Sequence, residues 1–202
     1  MNLQKEKYYL IPVLNVYENI EIPLLQNSKI SKGERKDRIE QIIEEVGMKD
    51  CIKHKPNELS GGQKRRVAIA GVIAMNPEVL ILDEPTAGLD PGGRDEIFEL
   101  INKLHENNNM TIILSSHSMD DMAKLAKTII VMNQGKIEFM GSPREVFNSN
   151  TQRLKEIGLD VPQVLELAIK LREKGFNIRE DILTIDEAKE EILKVIKGGK
   201  QC

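Results

Sequence analysis

Apolar residues recur at helical spacing in several parts of the chain, and capping patterns mark where the helices begin. The first clear stripe would lie on one face of a helix and consists of Ile39, Ile42, Ile43 and Val46. Ser31 followed by Glu34 is the capping-box pattern of the first turn of that helix. The preceding stretch, residues 10–25, holds two prolines and predicts a loop with one short helix.

A second helix is predicted directly after Ser60. Ser60 is a favoured N-cap residue, and Gln63 occupies the capping-box position three residues later. The helix continues through the apolar positions Val67, Ile69, Ala70, Ile73 and Ala74. Asn76-Pro77 ends it, because proline cannot continue a helix.

Short apolar runs alternate with helical stretches in the middle of the chain. Four strands are predicted at residues 79–82, 111–114, 128–132 and 137–140. The first is continuously apolar, as expected of a strand buried in a parallel sheet. Helices are predicted from Asp90-Pro91, from about Met119, and after Ser142-Pro143. This alternation favours a doubly wound α/β sheet, followed after about Asn150 by a small helical appendage.

Charge and composition narrow the class of protein. The 202 residues are 40% hydrophobic and 3% aromatic, so an ordinary core of aliphatic side chains is expected. The net charge is −3 and the basic residues are spread among acids, which argues against nucleic-acid binding. The densest basic run, Lys64 to Arg66, is interpreted as a solvated helix turn.

Cysteine usage and hydropathy bear on location. Cys51 and Cys202 are isolated, without metal-binding spacing, so a reducing cytoplasm is the simpler expectation. No stretch approaches the roughly 18 apolar residues of a transmembrane helix. The first residues are too short an apolar run, with a proline in it, for a signal peptide. If the protein serves a membrane, we expect it to do so from the aqueous side.

Two acidic residues follow the first predicted strand. Asp83 and Glu84 would stand at the carboxyl end of that strand, where open α/β sheets bind ligands. An aspartate there can hold Mg²⁺, which prefers oxygen ligands, and a neighbouring glutamate can polarise an attacking water. The plainer alternative is a strand that ends in a solvated polar loop.

Three further segments are candidates for phosphate chemistry. Gly61 and Gly62 at a helix start would leave backbone N–H groups accessible to an anion, although a glycine pair also simply permits a turn. His117 follows a strand and is placed to contact a phosphate oxygen, although most single loop histidines do nothing of the kind. Asp90, after the turn that Gly88 permits, is explained equally well by helix capping.

The order and spacing of these segments are more specific than any one of them. In sequence they resemble the signature, Walker B, D-loop and H-switch of ABC ATPases: Leu59-Ser60-Gly61-Gly62-Gln63, Leu82-Asp83-Glu84-Pro85, Gly88-Leu89-Asp90 and Ser116-His117. Residues 61–75, 80–91 and the tail around residues 157–162 and 174–176 look like the ATPase subunits of energy-coupling factor transporters. Residues 10–20 are instead similar to the helical subdomain of lipoprotein- and macrolide-export ABC ATPases.

This resemblance implies a fold and a division of the chain. The expected fold is α/β, a partial P-loop NTPase (RecA-like) doubly wound sheet with an ABC helical subdomain and a small helical C-terminal appendage. Residues 1–76 would form the helical subdomain, which ends in the signature helix. Residues 77–150 would form the Walker B, D-loop and H-switch half of the ATPase core, and residues 151–202 a helical extension.

The resemblance also implies roles for individual residues. ATP and Mg²⁺ are the implied cofactors, with Asp83 for Mg²⁺, Glu84 for activating water and His117 for the γ-phosphate. In the family two ATPase subunits sandwich two ATP molecules, so the signature segment Ser60–Gln63 (Ser60, Gly61, Gly62 and Gln63) would contact the ATP held by the other subunit. Asp90 would lie at the dimer interface.

The implied function is ATP-driven transport. The implied partners are a second ATPase subunit, in a homo- or heterodimer, and a transmembrane transporter subunit, with the protein peripheral on the cytoplasmic face of the cell membrane. The coupled process would be import of a vitamin or a metal ion.

The printed sequence contains no G-x-x-x-x-G-K-[ST] segment, the Walker A loop that holds the phosphates in this family. Two alternatives to a working ATPase therefore stay open: a non-catalytic partner that donates only Ser60–Gln63 in trans, and an inactive truncated or chimeric remnant. In the family's sheet the Walker A strand lies between the strands at residues 111–115 and 128–132. Without it, both strands would present unpaired, apolar edges, which invite aggregation. We therefore expect the chain alone to be poorly soluble.

Overall fold

A computed structural model describes residues 10–25, 30–108 and 110–198. The chain separates into two compact units, residues 1–115 and residues 116–202. The two units are described one after the other. The three-part division at residues 76 and 150 stays a prediction.

The described residues of the first unit form four helices and two strands. In chain order they are α1 (Val16–Leu25), α2 (Lys32–Glu45), α3 (Gly61–Ile73), β1 (Val79–Asp83), α4 (Pro91–Asn108) and β2 (Thr111–Ser115). Short 3₁₀ turns at Lys49–Cys51 and Pro56–Glu58 lead from α2 to α3. The short helix expected within residues 10–25 is therefore α1.

The predicted caps of α2 and α3 are both present. The Ser31 hydroxyl accepts from the backbone N–H of Glu34, and the Glu34 carboxylate accepts from the backbone N–H of Ser31. Ser60 and Gln63 make the same reciprocal pair at the start of α3. Each box satisfies two of the backbone donors that a helix start leaves without an intrahelical partner. The predicted starts of both helices are confirmed.

One apolar core holds the first unit together. The predicted stripes of α2 and α3 are buried in it, and α4 contributes Ile97, Leu100, Ile101 and Leu104. From β1, Leu80 and Leu82 enter the same core. The helices therefore pack on one face of the β1–β2 pair.

Strands β1 and β2 are parallel neighbours, in register from Val79 opposite Thr111 to Asp83 opposite Ser115. The expectation that β1 is buried on both faces is wrong. Its exposure alternates, with Leu80 1% exposed and Ile81 71% exposed. The reason is the period of two in a strand: one face meets the helices, and the other carries Ile81 and Ile113 to the surface.

The described residues of the second unit form five helices and a hairpin. They are α5 (Met119–Leu125), β3 (Ile129–Asn133), β4 (Lys136–Gly141), α6 (Pro143–Ser149), α7 (Thr151–Glu156), α8 (Gln163–Glu173) and α9 (Ile185–Gly198). β3 and β4 pair antiparallel. Gln134 and Gly135 between them both have positive φ, as a two-residue type I′ hairpin turn requires.

The predicted helical appendage is also present. Helix α8 ends before Gly175, whose φ of 90° is the left-handed conformation common just after a helix. Helices α8 and α9 pack around a small apolar cluster made of Ala168, Ile178, Ile182 and Ala188. From α6, Arg144 reaches the Asp181 carboxylate at 2.9 Å and also pairs with Glu187. The appendage is thus tied to the rest of its own unit.

The strands form two two-stranded sheets within the described residues, β1 with β2 and β3 with β4. Helices alternate with strands along the chain, and the α/β class is confirmed. Within the described ranges, no helix has the length and apolar content that a membrane span requires.

Candidate functional site

The two candidate acids lie at the carboxyl end of β1, as predicted. Asp83 is the last residue of the strand and is exposed, and its carboxylate accepts a hydrogen bond from the hydroxyl of Ser115, at the end of β2. The backbone N–H of Glu84 donates to the carbonyl oxygen of Ser115 at 3.1 Å. The parallel register brings these groups together, because it places Asp83 directly opposite Ser115.

Glu84 has an unusual backbone conformation. Its φ is 46°, in the left-handed region that costs a non-glycine residue of the order of 1–3 kcal/mol. The surrounding turn holds it there: the N–H of Ala87 donates to the carbonyl of Glu84 at 3.2 Å, and the N–H of Leu89 donates to that of Thr86 at 3.3 Å. The result is a fixed turn, residues 84–89, with the Glu84 side chain half-exposed.

The basic run on α3 is not the solvated helix turn that its composition suggested. Arg65 is 8% exposed, and its guanidinium donates to the carbonyl oxygen of Glu84 and, at 3.4 Å, to that of Ala87. Arg66 pairs with Glu96 of α4 at 2.9 Å. The charge pattern alone hid these contacts, because composition says nothing of which face of α3 is covered.

A signal for Arg65 does exist in the sequence. Arg65, Ile69 and Ile73 are spaced by four residues and therefore share one face of α3. Ile69 and Ile73 are buried. A cation on an apolar stripe implies a buried partner, which here is a pair of backbone carbonyls.

The glycine pair at the start of α3 lies close to the following loop. A Cβ on Gly61 would stand 3.3 Å from Cδ2 of Leu89, and one on Gly62 would stand 3.8 Å from Cα of Gly93. Gly61 itself is exposed. The helix start thus combines close packing against the 84–89 turn with accessible backbone, and its N–H groups with the helix dipole favour an anion.

Asp90 caps α4. Its Oδ1 accepts from the backbone N–H of Gly93 at 2.7 Å, so the capping interpretation is confirmed. The carboxylate is exposed, and a role at a dimer interface stays a prediction.

His117 belongs to the second unit. It is exposed and directly precedes Ser118, the N-cap of α5, whose hydroxyl accepts from the N–H of Asp121 at 3.3 Å. Its contact with a γ-phosphate stays a prediction.

The geometry of the first unit unites Asp83 and Glu84 with Ser115 and Arg65, and packs Gly61 against Leu89.

A shallow pocket of about 320 Å³ opens beside the start of α3. Its lining consists of four apolar side chains, two glycines and one lysine: Leu10, Pro12, Pro56, Leu89, Gly61, Gly88 and Lys64. The pocket therefore joins the residues of the predicted signature with those of the predicted D-loop.

The exposed carboxylate at the end of β1 is a ligand of the kind that suits a Mg²⁺ ion shared with a nucleotide. No cluster of three or more His, Cys, Asp or Glu residues is found in the part of the chain that the structure describes. Asp83 offers one exposed carboxylate at the strand end. Mg²⁺ at phosphate sites commonly takes one or two carboxylates and completes its shell with phosphate oxygens and water.

Comparison with known proteins agrees with this geometry. Residues 2–87 match the model of the ABC transporter family. The energy-coupling factor transporter ATP-binding protein EcfA2 of Clostridioides difficile is 71% identical over 178 residues, which are 87% of this chain and 62% of that protein. The EcfA2 of Caldanaerobacter subterraneus is 54% identical over 175 residues, covering 86% of this chain and 61% of that protein.

Solved structures give the same result. The structure of cbiO1 from Clostridium perfringens, described as part of the ABC transporter complex cbiONQ, has a TM-score of 0.66 at 34% identity and covers 82% of this chain and 61% of that one. The ATP-binding cassette MJ0796, solved as a post-hydrolysis dimer with ADP and Pi, has a TM-score of 0.59 at 33% identity, over 69% of this chain and 61% of that one.

Fold, motif geometry and similarity all point to the class of ABC-type ATP-binding proteins. Within that class, the chain resembles the ATP-binding proteins of energy-coupling factor transporters, and the resemblance stated from its motifs is confirmed. It spans about three fifths of the length of the curated relatives it matches. The likeness of residues 10–20 to export ATPases stays a prediction.

Proposed function

We propose that the protein acts as the ATP-binding and ATP-hydrolysing subunit of an ABC transporter of the energy-coupling factor type, which imports a vitamin or a metal ion. The observation that carries the proposal is the packing of the capped Ser60–Gln63 helix start against the turn that holds Glu84. These two segments are the parts of an ABC ATPase that face different nucleotides, and 71% identity to an EcfA2 protein supports the subfamily.

The helix start would serve the ATP held by a second ATPase subunit. Ser60, Gly61, Gly62 and Gln63 present a capped N-terminus whose dipole stabilises negative charge. Asp90, exposed after the 84–89 turn, would lie at the interface between the subunits. The pairing partner is a second ABC ATPase subunit, of the same or of a different sequence.

The carboxyl end of β1 would hold the groups that act in ATP hydrolysis. Asp83 would hold Mg²⁺, which supplies charge neutralisation at the phosphates. The Glu84 carboxylate would accept a proton from, and orient, the attacking water, and His117 would donate a hydrogen bond to the γ-phosphate. Such transfer needs positioning and charge stabilisation more than covalent chemistry, which suits a turn fixed by backbone hydrogen bonds.

The remaining partner would be a transmembrane transporter subunit. The helical region before Ser60 would transmit closure of the ATPase dimer to it, and the protein would lie peripherally at the cytoplasmic face of the cell membrane. The family membership and the exposed apolar side chain of Val13 near the start of α1 support this contact. The charge distribution gives no support to a nucleic-acid partner.

The test is ATP-dependent pairing with an energy-coupling factor ATPase that carries its own Walker A loop. The purified chain with Glu84→Gln, which suppresses turnover, is mixed with that subunit and Mg-ATP, and heterodimer formation is measured by sedimentation. We expect a heterodimer with ATP and none without nucleotide. Equilibrium binding of Mg-ATP to the chain alone, measured in parallel, shows how much nucleotide it holds by itself.

Ser60→Asp sharpens the test. Aspartate is as good an N-cap as serine, so α3 is retained, but a carboxylate at this place repels a triphosphate. We expect the variant to melt like the original and to lose ATP-dependent pairing. Ser31→Asp, in the equivalent capping box of α2, is the matched control and leaves pairing intact. Equal pairing by Ser60→Asp and the unchanged chain would refute the contact in trans.

A further inference from the structure

A buried cation joins the two halves of the proposed site. Arg65, on the second turn of α3, is 8% exposed and directs its guanidinium at the 84–89 turn. Its two terminal nitrogens donate to different carbonyl oxygens, those of Glu84 and Ala87. Burying a charge is costly without such partners, so these contacts define where the arginine must lie.

The two carbonyls bracket the strained part of the turn. Glu84 has left-handed φ, and the N–H of Ala87 donates back to the Glu84 carbonyl at 3.2 Å. A guanidinium that holds both carbonyls fixes their orientation, and therefore the plane of the peptide that follows Glu84. The direction in which the Glu84 side chain leaves the backbone depends on that plane.

The same helix begins at the proposed ATP contact. Arg65 lies five residues after Ser60, about 7 Å along the helix axis at 1.5 Å per residue. A rigid helix therefore connects the capped N-terminus with the carbonyls of the turn. A shift of the helix start therefore also moves the contacts to the turn, because no loop lies between them.

We propose that Arg65 is a positioning residue that fixes the Glu84–Ala87 turn to helix α3, so that the glutamate is set by the placement of the helix start. The inference rests on the proposed role of Glu84 in activating water. The contacts of Arg65 with the turn are to backbone carbonyls, so Arg65 acts on the chemistry through Glu84. The planar fork of arginine supplies two donors in fixed geometry, whereas lysine supplies a single ammonium.

The test compares Arg65→Met and Arg65→Lys with Arg66→Met, all in the full chain. Arg66 is the neighbouring arginine and pairs with Glu96, so its variant removes a cation from the same helix without removing the contacts to the turn. The readouts are the carbonyl ¹³C chemical shifts of Glu84 and Ala87, and amide hydrogen exchange at Ala87 and Leu89, measured by NMR.

For Arg65→Met we expect both carbonyl shifts to change. Exchange at Ala87 and Leu89 should speed up at least about tenfold, the lower end of the fold-change for losing a hydrogen bond to a charged group. Arg65→Lys should restore one carbonyl shift but not both, and Arg66→Met should leave all four signals in place. Unchanged shifts and exchange in a folded Arg65→Met protein would overturn the proposal.

If Arg65→Met does not melt cooperatively, the lysine variant decides. A folded Arg65→Lys protein with both carbonyl shifts at their original values would equally overturn the positioning role. None of these readouts needs a nucleotide. Failure of the proposed function shows separately, as an unchanged chain that does not pair with its partner in the presence of ATP.

Discussion

At the scale of single residues, the role of a glycine depends on which atoms of other segments lie close to it. Gly61 and Gly33 both lie near the start of a serine-capped helix, but a Cβ on Gly61 would meet Leu89, whereas a Cβ on Gly33 would meet nothing within 4 Å. The two positions read alike in the sequence. Their difference comes from the 84–89 turn, which passes over one helix start and not over the other.

This difference gives a stability prediction. Gly33→Ala should raise the free energy of unfolding by up to about 1 kcal/mol, because alanine is the better helix former. Gly61→Ala should gain less or lose stability, since Leu89 must shift to admit the methyl group. Urea denaturation of both variants measures the effect. An equal gain at both positions would show that the Leu89 contact is loose.

At the scale of elements, serine-based caps set the starts of several helices. In α6 the Ser142 hydroxyl accepts from the N–H of Glu145, and the Glu145 carboxylate accepts from the N–H of Ser142 at 2.7 Å. The pKa of Glu145 lies below its ordinary value because that backbone N–H and the Ser142 hydroxyl both donate to the carboxylate. The capping interaction is therefore also a pH-dependent one.

The sign of this dependence is fixed by the direction of the shift. A carboxyl whose pKa is lower in the folded state stabilises the fold above its unfolded pKa of about 4.3 and loses that contribution as the pH falls through the folded value. Glu145→Gln can still cap but does not titrate. Between pH 6 and about pH 3, we expect the melting temperature of the variant to fall less than that of the original chain. If the melting temperatures of the two proteins fell in parallel, the pH dependence would not come from the Glu145 cap.

At the scale of the whole molecule, the apolar side chains divide into two populations. The core of the first unit gathers side chains from its helices and from one face of β1. On the other face Ile81 and Ile113 are exposed, and in the second unit Ile130 and Met132 of β3 are exposed as well. Exposed apolar side chains favour association with other chains. The poor solubility expected for the chain alone stays a prediction.

Neighbouring substitutions on β1 separate the two populations. Ile81→Thr should reduce self-association, measured by sedimentation, and change the free energy of unfolding by only about 0.5 kcal/mol or less, because the side chain is already exposed. Leu80→Ala should cost about 2–5 kcal/mol through the cavity it leaves. If Ile81→Thr proved as destabilising as Leu80→Ala, that face of β1 would be buried in solution.

The sequence by itself determined the local elements and the family resemblance. Capping boxes at Ser31, Ser60 and Ser142, helical stripes and the turn before β4 are local patterns, and local patterns act within a few residues. The order of the motifs from Ser60 to His117 carried the resemblance to ABC ATPases for the same reason, because their spacing can be read along the chain.

Only the tertiary structure decided which faces are covered. Burial of Arg65, exposure of Ile81 and the contact of Gly61 with Leu89 each depend on segments far apart in sequence that pack together. The left-handed conformation of Glu84 likewise depends on Ser115 and Arg65, more than fifteen residues away on either side. Hydrogen-bond partners and packing across elements have no local signature, so the placing of the catalytic candidate was fixed by the fold.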